Sequence, residues 1–391
     1  MKKIVEYDNI LSCILFYLEY KLSNLHDNIS GNYFIEVSIA GKSIDFGCLI
    51  SSLEFDASTN GEASICIIRW VSECYKNNEL FLNENFDSAQ IGAKFEVSAG
   101  SYNSEKNFAK IFSGFIFSSS IDIQKGVSYL EISGMDAKMW MMANKFTQFK
   151  SSEQTYSKII KDVQSKYSSK FSGAYINISG EPASIRPGPH QYNESDFDYL
   201  KRIADITGSF FYVLDGKFMF TPIEANKSEE IIIEPICKIT EENLLKKVTF
   251  VSNIIGIPKS VSANFTKDED YKNNISSDIN SLKKIGTGNT ADELTSNISD
   301  NNIIKIFDNS INSPDSAKFI SNAEYSKRAI NLAKCEVVSS FLPNAKIGAP
   351  AQMLGFGNII DNNYIITSLN HKYDGKNFVT SLELSSDAFS Q

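Results

Sequence analysis

Apolar residues recur along this chain with two different periods, and the period changes near residue 30. From Ile10 to Leu25, Ile10, Leu11, Ile14, Leu15, Leu18, Leu22 and Leu25 make one stripe at helical spacing, with Asp8 placed to cap it. The pattern predicts an amphipathic helix within residues 1–30, either packed on its own domain or serving as a docking arm for a neighbour. From Tyr33 to Asp136 apolar and polar residues alternate instead, as in half-buried strands. Strands are expected at 34–39, 50–55, 63–70, 94–99, 110–121 and 127–133, with turns at Ala40-Gly41-Lys42 and at 58–61. Short β-runs punctuated by turns suggest a small, nearly closed barrel over 31–145. Residues 135–143 read as a short helical tail with Trp140 as its core anchor or, alternatively, as an interface residue.

The period returns to helical at 152–168, where Tyr156, Ile159, Ile160, Val163 and Tyr167 share a face. A strand at 174–178 leads to a loop with Pro182, Pro187 and Pro189. The stretch from Gln191 to Phe220 follows, QYNESDFDYLKRIADITGSFFYVLDGKFMF. Asn193 and Ser195 are both N-cap types, because their side-chain oxygens can accept from free first-turn amides. If Ser195 caps, Asp196 and Asp198 lie where the helix dipole favours negative charge. Phe197, Leu200, Ile203, Ala204 and Thr207 then form the buried face, with Phe197 and Leu200 as anchors. On that placement, Phe197→Ala should cost roughly 3–5 kcal/mol. Gly208 supplies the left-handed residue that ends such a helix. Asp215-Gly216 between two aromatic runs is a type I′ hairpin signal. Residues 146–240 thus read as an α/β middle module.

After Leu244 the strand pattern resumes, at 247–251 and 259–265. Residues 267–312 are rich in Asn, Ser and Asp and read as a polar insertion with weak strands at best. Pro314-Asp315 opens a helix expected over 314–333, and strands at 335–341, 351–355, 363–373 and 378–385 close the second β-unit, 241–391. That unit echoes the first. Ile91-Gly92-Ala93 recurs as Ile347-Gly348-Ala349, and Phe115-Ile116-Phe117-Ser118-Ser119 compares with Tyr364-Ile365-Ile366-Thr367-Ser368. Gly126 precedes Leu130-Glu131-Ile132-Ser133 and Asp136, as Gly375 precedes Leu382-Glu383-Leu384-Ser385 and Asp387. The order holds while the spacings differ, which points to two copies of one barrel.

The residues Gln191, Asn193, Glu194, Ser195, Asp196, Phe197, Tyr199, Leu200, Arg202 and Gly208 resemble a signature of phage late-control D proteins and of the hub part of VgrG spikes in type VI secretion. The stretch from Gly355 to Leu384, with Tyr364-Ile365-Ile366, His371-Lys372-Tyr373 and Phe378-Val379-Thr380, is similar to the closing strands of that family. The resemblance spans Tyr33 to Ser385. It implies a β-rich α+β fold of gp27-like hub architecture, two similar small β-barrels bridged by an α/β module. It also implies a homotrimer whose six β-units match a six-fold tail tube on one face and a three-fold spike on the other. A phage tail, a phage-tail-like bacteriocin or a related contractile particle would contain such a baseplate hub. The sequence runs to Gln391 without an OB-like domain or needle repeat, so the expected spike is a separate polypeptide.

Composition narrows the alternatives. Of 391 residues, 42% are hydrophobic and 12% aromatic, with 27 Phe and 17 Tyr, which favours a β-rich globular chain. The net charge of −9 argues against stable nucleic-acid binding, which needs clustered Lys and Arg. Six cysteines (Cys13, Cys48, Cys66, Cys74, Cys237, Cys335) form no C-x-x-C pair, and His26, His190 and His371 sit apart from them. Buried thiols in a reducing cytosol are expected, with no metal and no cofactor. No apolar run approaches a bilayer span and no signal peptide is recognisable, so synthesis in the bacterial cytoplasm is expected. No nucleophile elbow, zinc-protease, P-loop or dinucleotide motif occurs. Glu194, Asp196 and Asp198 are close enough to suggest a glycosidase, yet each has a structural role in a first turn. His190 reads as a loop residue, and His371 as a half-buried strand residue or one paired with an acid. Gly355-Phe356-Gly357-Asn358 reads as a turn. The expected function is a non-enzymatic hub that meets a tube protein, a spike and other baseplate proteins. The alternatives are a hub-associated cell-wall hydrolase and a secreted carbohydrate-binding β-protein.

Overall fold

The computed structural model describes residues 33–390 apart from 45–48, 74, 77–78, 81–88, 102–107, 125–126, 150–153, 186–187, 224–230, 234–244, 268–269, 278–281, 296–302 and 309–310. The helix expected within residues 1–30, Gly126, Pro187, Cys13, Cys48, Cys74 and Cys237 fall outside the described residues.

In chain order, the first β-unit comprises β1 (Tyr33–Ile39), β2 (Leu49–Ser58), β3 (Ile65–Glu73), β4 (Lys94–Ser101), β5 (Ala109–Gln124) and β6 (Val127–Met135). A single-turn α1 (Met139–Met142) and β7 (Lys145–Gln148) lead into α2 (Tyr156–Ser165) and β8 (Gly173–Ile176). Next come β9 (Gln191–Ser195), α3 (Asp196–Thr207), β10 (Ser209–Leu214) and β11 (Lys217–Pro222). The second half contains β12 (Ile231–Ile233), β13 (Leu245–Ser252), β14 (Ser260–Lys267), β15 (Asp270–Ser276), β16 (Ile303–Phe307) and α4 (Pro314–Ala329). It closes with β17 (Ala333–Ser340), β18 (Pro350–Met353), β19 (Asn362–Tyr373) and β20 (Phe378–Ser386).

The protein is β-rich, and both β-units belong to one 13-stranded sheet. Within the first the pairing order is β2-β3-β6-β5-β4-β1; within the second it is β13-β17-β20-β19-β18-β12. The two orders superpose strand for strand. Each shared neighbour pair is antiparallel except at the last position, where β12 runs parallel to β18 while β1 runs antiparallel to β4. Irregularities repeat as well. A bulge lies between Ile116 and Ser118 on β5 and between Ile366 and Ser368 on β19. Another lies between Ile50 and Ser52 on β2 and between Leu245 and Lys247 on β13. Bulges re-aim a strand at one residue, so matched bulges fix the alignment of the copies.

That alignment corrects the one read from the letters. The amides of Gly92 and Gly348 donate to Ile116 O and Ile366 O, both at 2.7 Å, and Ile116 and Ile366 donate back to Ala93 O and Ala349 O, both at 3.0 Å. Phe115 therefore corresponds to Ile365 rather than Tyr364. Through β6 and β20, Ile132 corresponds to Leu382, so the Leu-Glu pairs are offset by two residues. Among the described residues, two buried free thiols fall at equivalent places: Cys66 opposes Phe55 on β2, and Cys335 opposes Phe250 on β13.

One hydrophobic core runs through both β-units and takes in Phe210, Tyr212 and Met219 of the hairpin. A second is centred on the middle module, where α2 and α3 bury Ile159, Ile160, Val163, Leu200 and Ile203. The helix α2 is shorter than the expected 152–168: Thr155 caps it, Tyr156, Ile159, Ile160 and Val163 form its buried face as expected, and Tyr167 lies past its end. The 135–143 tail differs: Met141 is fully buried, while Trp140 is half-buried, edge-on to Phe115 with Lys170 Nζ 4.2 Å from its ring. The polar insertion is also more ordered than its composition suggests. β15 and β16 flank β14 as a small sheet, and Ala263, Phe265, Ile311 and Ala317 form a core beneath α4. Its alternation was hidden because short Ile-containing runs are separated by polar ones. The helix α4 stops at Ala329, four residues before the expected end, because Ala333 begins β17.

Candidate functional site

The middle module is organised by the Gln191–Gly208 stretch. Phe146 faces Glu194 across the β7–β9 pair, which sets the entry to α3. Asn193 takes φ of 46°, and its amide donates to Thr147 Oγ1 at 3.2 Å. The helix begins as the sequence predicts: Ser195 Oγ accepts from the Asp198 amide at 3.0 Å and donates to Asp198 Oδ2 at 2.7 Å. At the other end Gly208 has φ of 56°, the left-handed conformation. A Cβ at Gly208 would also stand 2.6 Å from the Ala323 carbonyl oxygen of α4, so glycine serves both the cap and the helix contact. Asp215 and Gly216 have φ of 49° and 78°, as a type I′ turn requires.

The acidic residues are tied into separate structural networks. Asp196 is fully buried and accepts from Lys166 Nζ at 3.0 Å, Tyr167 OH at 2.9 Å and Gln191 Nε2 at 3.0 Å. Burial, helped by the hydrogen bond to Asp196, pushes the Tyr167 phenol well above its ordinary range. Gln191 Nε2 also donates to Glu194 O at 3.1 Å, joining strand to helix start. Glu194 accepts from Arg202 Nε at 3.3 Å, and Arg202 Nη2 donates to His190 O at 2.5 Å. Tyr199 OH donates to Pro189 O at 2.6 Å, which fixes the proline loop against α3. These contacts tie β9, the start of α3 and the proline loop together.

Of the ten motif residues, the structure brings Gln191, Glu194, Ser195, Asp196 and Arg202 into direct contact with one another's strand or helix start. Tyr199 and Leu200 are fully buried. Phe197 is only half-buried, 6.2 Å from the Phe211 ring, so it is not the deep anchor expected. The buried stripe is Asp196, Tyr199, Leu200, Ile203, Ala204 and Thr207, because the Asp196 network turns that side of the helix inward. Lys166 and Tyr167 were missed as partners, since nothing in their local pattern marks them as complements to a residue thirty positions away.

Two further polar features stand outside the motif. His371 is fully buried among Phe55, Phe341 and Phe378, with Nδ1 2.9 Å from Thr380 Oγ1 and, among the described residues, no acid paired with it. Burial, with a smaller contribution from Lys346, pulls its pKa down to about 3. The expectation of a half-buried or acid-paired ring is therefore corrected. Lys138 is likewise buried, 3.6 Å from Asp136 Oδ2 and bonded to Glu62 O, with burial lowering its pKa. A shallow polar cleft of about 270 Å³ lies on the outward face of β3, β6 and β5, lined by Arg69, Ser120, Asp122, Gln124, Tyr129 and Glu131. Arg69 and Glu131 neutralise each other there at 2.8 Å. Among the described residues no cluster of His, Cys, Asp and Glu is arranged to hold a metal, and no helix is long and apolar enough to cross a membrane.

The fold is that of phage tail proteins. A 43 kDa tail protein of prophage MuSo2 from Shewanella oneidensis matches with a TM-score of 0.60 at 12% identity, covering 90% of this chain and 98% of that one. A tail protein from Neisseria meningitidis MC58 matches at 0.62 and 11% identity, covering 91% and 97%. An E. coli type VI secretion component, described as similar to the T4 tail proteins gp27 and gp5, matches at 0.53 and 10% identity, covering 90% and 76%. The β-rich, gp27-like architecture is thus shown, while identities this low carry the fold alone. No curated protein matches the sequence. The family described as Alg8 N-terminal domain matches residues 35–375, most of the chain, and the protein belongs to that family.

Proposed function

We propose that this protein is a non-enzymatic baseplate hub of a contractile injection particle. Three copies form a ring that joins a six-fold tail tube to a separate three-fold spike, with residues 31–145 and 241–391 as its two β-domains and 146–240 as the bridge. The observation that carries this reading is the duplicated β-unit, alike in strand order and in the position of two bulges. Two alike units per chain let a three-fold ring offer six similar surfaces, the requirement for joining partners of unlike symmetry. The fold shared with tail proteins, and with a type VI secretion component, points the same way. The Gln191–Gly208 motif supports kinship with late-control D and VgrG hubs, and its carboxylates are occupied structurally.

Native mass spectrometry of the purified chain tests the reading. The expected species has three times the 43.6 kDa chain mass. A monomer at every concentration, with or without spike protein, contradicts it. Release of peptidoglycan fragments by the purified protein would instead favour a cell-wall hydrolase.

A further inference from the structure

The two β-units meet inside one chain through a junction that uses only half of the available edges. On β19, residues 362–365 pair with β18, while residues 368–373 have β20 on one side and β2 on the other. The equivalent of that second segment is residues 118–123 of β5. It pairs with β6 on one side and, among the described residues, with no strand on the other. The equivalent of β2 is β13, which ends the sheet path with β17 as its sole strand neighbour among the described residues. One chain therefore carries one filled junction and the two complementary halves of another.

Side-chain burial fits this vacancy. At the filled junction His371 faces inward and is fully buried, and its neighbour Tyr373 packs on Phe378. Their equivalents on β5 are Ile121 and Ile123, which stay 38% and 44% exposed. Opposite them at the filled junction stand Phe55 and Leu53, at 6% and 0% exposure. Their equivalents on β13 are Phe250 and Val248, both only half-buried. Two exposed isoleucines on an open strand edge are what a soluble protein avoids unless a strand covers them.

We propose that residues 118–123 of β5 pair antiparallel with residues 248–253, on and just past β13, from a second copy of this chain, in the register of the internal β19–β2 junction. Ser120 then lies opposite the partner's Val251, Ile121 opposite the partner's Phe250, and Ile123 opposite the partner's Val248. On the outward face Asp122 falls diagonal to the partner's Lys247, so the charges across the new edge are complementary. The interface is head-to-tail, which leaves one open edge of each kind at the ends of any chain of copies and none in a closed ring. That closure rests on the hub reading above; the strand pairing itself rests on the duplicated register.

Ser120→Cys combined with Val251→Cys in the full-length chain tests the pairing. Mild oxidation should give reducible covalent dimers and trimers on a denaturing gel, absent from either single variant. Native mass spectrometry of the unoxidised protein runs beside it. An oligomer that gives no double-variant cross-link overturns the edge pairing and leaves the hub reading standing; a monomer at every concentration overturns both. Ile121→Lys supplies an independent check. It should keep the parent's circular dichroism spectrum while weakening association at least tenfold, and unchanged association would contradict the pairing.

Discussion

At the scale of single residues, Asp196 holds the middle module together. Its carboxylate, with no exposure to water, collects a lysine and a phenol from the end of α2 and an amide from β9. Asp196→Ala should cost about 3 kcal/mol, the low end for breaking a buried pair, since Lys166 keeps 35% of its side chain exposed; chemical denaturation reads this directly. Leu200→Ala should cost about 2–5 kcal/mol, and Phe197→Ala clearly less than Leu200→Ala, because Phe197 is half-buried. Equal losses would mean that the helix is rotated from its position here. His371 gives the chain a pH dependence. Its folded pKa, about 3, lies below an unfolded value near 6.5, so the unfolded state binds the proton first. The stability from keeping this ring neutral is complete above pH 6.5 and is lost as pH falls towards 3. Between pH 7 and pH 5 the parent should lose about 2 kcal/mol relative to His371→Gln. Parallel pH curves for the two proteins would place the titration elsewhere.

At the scale of elements, what the sequence made legible was local. Ser195, Gly208 and Asp215-Gly216 act through their own backbone, so cap, stop and turn could be read from single letters. Gly208→Ala tests the stop together with a contact that no local reading shows. It should cost about 2–4 kcal/mol, from the left-handed φ and the approach to Ala323, by thermal denaturation. A loss near 1 kcal/mol would mean that α4 yields. The repeat was legible in order but misaligned, and packing explains why. In the first unit Gly134 leaves room for Phe95, whose ring would stand 2.3 Å from an added Cβ. In the second unit the equivalents are Leu384 and Ala351, so the volume has changed sides. Volume-conserving exchange keeps a core filled while erasing the letters that would align it. The bulges at Ile116 and Ile366 survive because backbone register does not depend on which side chain fills the space. The small sheet of β14, β15 and β16 was illegible for another reason: its stability comes from α4, far along the chain, rather than from its own composition.

At the scale of the whole molecule, the duplication matters more than any one site. The two units share a core and a sheet, so the chain is one continuous segment with two complementary open edges rather than two tethered domains. A segment of this kind repeats itself by adding copies at its open edges, and a ring is the form in which none of those edges remains. Electron microscopy of the purified full-length protein is the most direct test. The account predicts class averages of a three-fold ring with six alike lobes around a central channel. Particles of a single chain, or two-fold pairs without a channel, would contradict it.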